Sequence, residues 1–256
     1  MITSAQNPRL KLTRSLLGQA KARREEGAFV AEGVRLVEEA LAADWSFRYV
    51  LHAPDLGTRG RKLLHGLEEK RIPLEVVDAA LLDSLSETET SQGILAVLEQ
   101  QALPVPPRLD FLLILDQVRD PGNLGTLLRS ALAAGVQAVL LPPETADPFN
   151  PKVVRSGMGA HFRLPILSLD WEGIRNRLSG LTVFLAEMEG AIPCWQADLR
   201  SPLALIVGGE AEGASAEGRR LADRLVCIPM PGGNESLNAA VAGSILLFEV
   251  VRQRTG

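Results

Sequence analysis

The hydrophobic positions divide the chain into two stretches with different rhythms. Leu10, Leu12, Leu16, Leu17 and Ala20 recur at roughly helical spacing among basic residues, which predicts an amphipathic helix over 7–24. Short apolar runs then alternate with helical segments. Strands are predicted at 29–30, 47–51, 74–77 and 94–98. Helices are predicted at 32–41, where Val34, Val37 and Leu41 form an apolar stripe, and at 63–70 and 79–85. This alternation implies a small α/β domain.

Pro104, Pro106 and Pro107 follow closely and make a stiff, extended connector. The organisation is therefore read as a domain over 1–100, a Pro-rich linker over 101–108 and a second domain over 109–256. Beyond the linker, Phe111-Leu112-Leu113-Ile114-Leu115 is apolar at every position, as expected of a parallel strand covered on both faces. Similar runs occur at 139–141, 182–185, 203–207 and 225–228, and helical segments at 126–134, 171–178 and 237–252 separate or follow them. The second domain is thus predicted to be α/β with a parallel sheet.

Composition alters this outline little. Hydrophobic residues make up 46% and charged residues 23% of the 256 positions, ordinary for a folded chain. Cys194 and Cys227 form no CxxC pair, and His52, His65 and His161 are scattered. No metal site is expected, and the thiols fit a reducing, cytoplasmic setting. No apolar run reaches the ~18 residues of a membrane helix, and Leu16-Leu17 is too short for a secretory signal.

The net charge of -4 argues against a nucleic-acid partner only on average. The first 24 residues hold Arg9, Lys11, Arg14, Lys21, Arg23 and Arg24 and no acid. Phosphate binding depends on such local basic patches, although a solvated helix face would look the same.

Ligands of open parallel sheets bind beyond the carboxyl ends of the strands, and three such ends carry unusual residues. The first is Asp116-Gln117-Val118-Arg119-Asp120-Pro121-Gly122-Asn123-Leu124-Gly125, leading to Arg129; Asn123 is expected to cap the helix. The second is Gly208-Gly209-Glu210, with Gly213 beyond, where paired glycines permit close backbone approach. The spacing is not GxGxxG and no GK[ST] occurs, which disfavours a nicotinamide oxidoreductase and a P-loop hydrolase. The third runs from Ile228-Pro229-Met230 to Ser236-Leu237-Asn238, where Ser236 and Asn238 are placed to cap the last helix or reach a ligand. Taken singly, the first two read more simply as ordinary turns at strand ends, and the third equally well as a capped helix packed on the sheet.

Taken together and in order, Asn123, Gly125, Arg129 and Gly135, then Gly208, Gly209, Glu210 and Gly213, then Ile228, Pro229, Met230, Ser236, Leu237 and Asn238 resemble the three motifs of the SpoU (TrmH-type) RNA ribose methyltransferases. Ala239-Ala240 departs from the Val-Ser that many relatives carry. The segments Ile2-Thr3-Ser4-Ala5-Gln6-Asn7-Pro8, Phe29-Val30-Ala31-Glu32-Gly33 and Glu87-Thr88-Glu89-Thr90-Ser91-Gln92-Gly93-Ile94 resemble the family's RNA substrate-binding extension, itself similar to ribosomal proteins that bind kinked RNA.

The resemblance implies more than the spacing does. It implies a deep trefoil knot in the C-terminal domain, a homodimer, and S-adenosylmethionine as cofactor without a metal. Gly209, Ile228, Met230 and Leu237 would hold the cofactor. Arg129 would sit at the ribose 2′-hydroxyl, bind the neighbouring phosphate and help activate the oxygen, although arginine is itself a poor base. Asn123, Glu210, Ser236 and Asn238 would complete the catalytic wall. Asn7, Arg9, Lys11, Arg23 and Arg24 would dock RNA, with Arg35 and Arg155 as further candidates, while Glu32 and Gly33 shape the extension. The large extension points to large-subunit ribosomal RNA. The alternatives are transfer RNA methylation, or a non-catalytic RNA-binding protein of the same fold, which would not need the polar set.

Overall fold

The structure is a computed structural model and describes residues 1–86, 92–210, 212–233 and 236–256. Glu87, Thr88, Glu89, Thr90 and Ser91 of the extension motif, with Ala211, Asn234 and Glu235 of the later motifs, lie outside the described residues. The chain forms two compact units. One comprises Met1–Gln101 and Phe149–Phe162, the other Ala102–Pro148 and Arg163–Gly256. A single segment from the middle of the expected second domain thus folds with the first.

The first unit is built on β1 (Ala28–Glu32), β2 (Phe47–His52), β3 (Leu74–Val76) and β4 (Ile94–Glu99), in the order β1-β4-β2-β3. β4 runs antiparallel to both β1 and β2, and β3 lies parallel to β2. Around it are α1 (Pro8–Gly18), α2 (Ala20–Glu26), α3 (Val34–Ala42), α4 (Thr58–Glu69), α5 (Ala79–Asp83) and, from the distant segment, α7 (Pro151–Gly157). Alternation along β1 explains why that segment is held. Ala28 and Val30 share a core with Leu10, Leu16 and Leu17 of α1. Phe29 points the other way, with ring centroids of Phe149 at 4.9 Å and Phe162 at 6.4 Å. Phe162 also meets Trp45 edge-on at 5.2 Å. Without the segment, a fully buried phenylalanine would face water.

The helix predicted over 7–24 is instead two. Gln19 is extended, with φ −128° and ψ 115°, and separates α1 from α2. Gly18 is cheap to release from a helix. Breaking there strands the last carbonyls of α1, and Arg23 takes two of them: Nη1 donates to Leu16 O at 2.6 Å and Leu17 O at 3.2 Å. Arg23 is 3% exposed, so its expected role in docking RNA is corrected to that of a buried helix-end cap.

The second unit holds an entirely parallel sheet. Its strands are β5 (Phe111–Asp116), β6 (Ala138–Leu141), β7 (Ile166–Ser168), β8 (Thr182–Ala186), β9 (Ile192–Pro193), β10 (Leu203–Gly208) and β11 (Arg224–Cys227), in the order β7-β6-β5-β10-β8-β11-β9. On one face Leu112 and Ile114 pack with Leu140, Ile174, Leu185 and Ile206, with α8 (Trp171–Arg175) and α9 (Ala216–Leu221) among the connecting helices. α6 (Pro121–Ala133) packs against α10 (Ala239–Thr255), where Ser130 and Ser244 hydroxyls meet at 2.8 Å. Gly243 allows this closeness, since a Cβ there would lie 2.4 Å from Leu127 Cδ2. The predicted strands are all present; β7, β9, α7 and α9 were not anticipated, being too short to show a period. Among the described residues no helix is long and apolar enough to cross a membrane, and no group of side chains could hold a metal ion.

Replacing Arg23 with Ala should lower stability by about 1.5–3 kcal/mol, the scale for charge-assisted hydrogen bonds. It should leave the salt dependence of RNA binding unchanged. Urea denaturation and salt-titrated binding check the two halves, and a flattened salt slope would return Arg23 to the RNA surface.

Candidate active site

Because the strands are parallel, the loops after β5, β10 and β11 emerge at one edge of the sheet. The chain leaves β5 toward β6 on one side, whereas β8, β10 and β11 lie on the other. That reversal between β5 and β10 is where an open α/β sheet offers a crevice.

α6 begins at Pro121 rather than at 126. Asp120 caps it, accepting from Asn123 N at 2.8 Å, and Pro121 supplies the first-turn φ. The expected capping role of Asn123 is therefore corrected: its side chain is left for other partners. Asn123 Nδ2 donates to Glu210 Oε1, and Asn123 Oδ1 accepts from Asn238 Nδ2 at 3.0 Å. Asn238 caps α10 through Oδ1, which accepts from Ala240 N at 2.9 Å and Val241 N at 3.2 Å. One amide thus joins the three glycine-bearing turns that sequence places far apart.

The backbone beneath this junction is tightly constrained. Gly209 N donates to Gly213 O at 3.1 Å, closing a small loop that carries Glu210. A Cβ on Gly209 would lie 2.2 Å from Gln117 O, so no other residue fits without moving the first turn. Gln117 itself adopts a left-handed φ of 57°.

Asp116 ends β5 wholly buried, and Oδ2 accepts from Ser215 N at 2.7 Å, tying β5 to the start of α9. Oδ1 has no hydrogen-bond partner among the described residues. Burial pushes this carboxyl's pKa up, while the hydrogen bonds from Ser215 pull it down less strongly.

Ile228, Met230, Ser236 and Leu237 line one open cleft of about 500 Å³, with Met188 and Cys227 on its wall. Gly209 lies outside it, in a separate hollow with Gln117, Arg119 and Glu210. Arg129 is exposed on α6 and, among the described residues, has no hydrogen-bond or ion-pair partner. Of the expected RNA contacts, Lys11 and Arg24 are exposed. Asn7 caps α1, accepting from Arg9 N at 2.9 Å. Arg9 pairs with Glu75 at 2.7 Å and lies over the Tyr49 ring. Sequence reasoning passed over Asp116, Asp120 and Met188. The dipeptide Asp120-Pro121 was a legible cap signal.

A family model described as the SpoU rRNA Methylase family matches residues 110–248. The chain belongs to the SpoU rRNA methylase family. A model of an MRM3-like substrate binding domain matches residues 7–96 of this SpoU chain. The chain is 34% identical to the 23S rRNA (guanosine(2553)-2′-O)-methyltransferase RlmP of Bacillus subtilis, over 97% of this chain and 98% of that protein. It is 33% identical to the 23S rRNA (uridine(2479)-2′-O)-methyltransferase of Streptomyces viridochromogenes, over 98% and 92%. Among solved structures, the SpoU methyltransferase AviRb from Streptomyces viridochromogenes in complex with the cofactor AdoMet superimposes with a TM-score of 0.88 at 32% identity, covering 97% of this chain and 98% of that one. The parallel α/β fold expected from the sequence is thus that of SpoU methyltransferase structures.

Asp116 gives a pH test with a defined sign. A carboxyl whose pKa is raised by folding contributes stability below its unfolded value of about 3.9 and loses it as pH rises through the higher folded value. Asp116→Asn keeps an acceptor for Ser215 N and cannot ionise. Relative to the parent, its urea midpoint should therefore climb as pH rises above the unfolded carboxyl value of about 3.9. A pH-independent difference would contradict the assignment.

Proposed function

We propose that this chain transfers the methyl group of S-adenosylmethionine to a ribose 2′-hydroxyl of large-subunit ribosomal RNA. The observation that carries this reading is the Asn123 amide linking Glu210 and Asn238, which gathers all three family motifs into one polar site. The two relatives of nearly equal identity act on a guanosine and a uridine. What they share is the ribose oxygen, so the chemistry is assigned to the sugar and not to a base.

The cleft fits the cofactor. Its walls are chiefly apolar, from Met188, Ile228, Met230 and Leu237, with the Ser236 hydroxyl among them. When bound, S-adenosylmethionine supplies an electrophilic methyl on a sulfonium sulfur. Gly209 lets the second turn lie flush against Gln117, so that Glu210 is presented beside Asn123. Glu210 and Asn238 fix both ends of the Asn123 amide, which leaves little reorganisation when substrate arrives. Arg129, exposed and without an ion-pair partner among the described residues, binds the phosphate next to the target ribose and polarises its hydroxyl. Ser236 completes the polar wall.

Lys11, Arg24 and Asn7 mark the RNA-docking face of the first unit, and Arg9 joins them if it exchanges Glu75 for phosphate. The trefoil knot and a cytoplasmic location belong to the same reading. So does a homodimer. Val241, Ile245 and Phe248 recur along one stripe of α10 and are 48%, 41% and 48% exposed. Such a contiguous apolar row on a helix fits burial against a second copy of the chain.

Labelled cofactor with unmethylated ribosomal RNA, followed by mapping of ribose methylation, tests the activity. Arg129→Ala should reduce turnover at least 100-fold, a typical loss for a group stabilising the transition state, with cofactor affinity by calorimetry within about twofold. Intact turnover would refute the role of Arg129. Phe248→Asp should shift the chain from dimer to monomer in sedimentation. An unchanged dimer would place the subunit contact elsewhere.

A further inference from the structure

A second cleft, lined by none of the methyl-transfer residues, lies in the first unit. It is open to solvent and is lined by Glu32, Gly33, Arg35, Leu36, Gln92, Arg155 and Met158. Four features give it the character of an anion site. Gly33 leads into α3 with a left-handed φ of 98° and supplies no side-chain cap, and no acid occupies the first turn of that helix. Gln92 Oε1 accepts from Val34 N at 2.8 Å. This leaves the N–H groups of Arg35 and Leu36 without partners among the described residues, at the positive end of a nine-residue helix.

The cations at the site are the second feature. Arg35 is exposed, with no ion pair among the described residues. Arg155 stands 3.6 Å from Glu32, too far for a hydrogen bond, and its Nη1 is buried without one. Among the described lining residues, Glu32 offsets one of the two guanidinium charges and the other is left uncompensated. The third feature is the apolar surface of Leu36 and Met158 beside these donors. The fourth is Gln92. Because Oε1 is committed to Val34, Nε2 remains as a donor with no partner among the described residues. Phosphate donors, an apolar wall and guanidinium planes with a fixed amide suit the phosphate and the base of one unstacked nucleotide.

We propose that this cleft seats one unpaired nucleotide of the RNA substrate, its phosphate on Arg35, Arg155 and the α3 N-terminus, its base against Leu36 and Met158. The proposal rests on the RNA-methylation reading and adds a specific grip within the substrate-binding unit. It also gives α7 a purpose. Arg155 and Met158 come from the stretch matched by the methylase model yet fold with the first unit, so this RNA grip uses residues from both matched stretches.

The test uses the full chain with unmethylated ribosomal RNA and, separately, adenosine monophosphate. Arg35→Glu should weaken RNA binding about tenfold and lower the slope of log affinity against log salt by about one, as loss of a phosphate contact does. Lys62→Glu, the same charge change on exposed α4, should do neither. S-adenosylmethionine affinity should be unchanged in both. Arg155→Gln should reproduce the Arg35 effect; should it fail to fold, photo-crosslinking of 4-thiouridine RNA to the peptide holding Met158 supplies the second measurement. If Arg35→Glu binds and methylates RNA like the parent, or if only the mononucleotide shows dependence on Arg35, the cleft assignment falls while methylation stands. If the parent chain itself binds no ribosomal RNA, the methylation reading falls first.

Discussion

The site depends on an amide that has been relieved of another duty. Asparagine three residues into a helix is available only if something else satisfies the helix start, and Asp120 does so through Asn123 N. The freed side chain offers a donor group and an acceptor atom, and each is used: the amide nitrogen toward the Glu210 carboxylate, the oxygen toward the Asn238 amide. Asn238 spends its own oxygen on capping α10. The polarity of each group therefore fixes the next. Reversing any one amide would set donor against donor or leave a carboxylate facing an oxygen.

The rest of the second unit serves to keep those three turns in register. Two close backbone approaches do most of this: Gly209 against Gln117, and Gly243 of α10 against Leu127 of α6. Asp116 adds a third tie by holding Ser215, at the far end of the loop that carries Glu210. Its burial with one oxygen unmatched among the described residues is unfavourable in itself. What its other oxygen does is fix the second turn relative to the first, through Ser215 N.

Much of this was legible before any coordinates. The unbroken apolar runs at Phe111 and Leu203 announced parallel strands because burial on both faces removes alternation. The three turns were visible as glycine clusters, and resemblance tied them together. What the pattern could not carry was anything decided by tertiary partners. The break at Gln19 depends on Arg23 reaching back to two carbonyls, so a run of basic residues concealed one that is interior. The cap was assigned to Asn123 because asparagine is a good cap. Asp120 took that position through Pro121, whose ring fits the first turn. The cleft beside α3 was beyond reach because its two sides come from residues more than a hundred positions apart.

The aromatic seat of Phe29 has a practical corollary for dividing the molecule. The proline-rich connector looks like a natural place to sever the two units, yet the first half would then lack Phe149 and Phe162, while the second half would retain them with no wall to rest on. Grafting the substrate-binding unit of one relative onto another meets the same obstacle. A chimera joined only at the connector inherits a foreign plug for its own socket, and the transplant must carry both pieces of chain to stay whole.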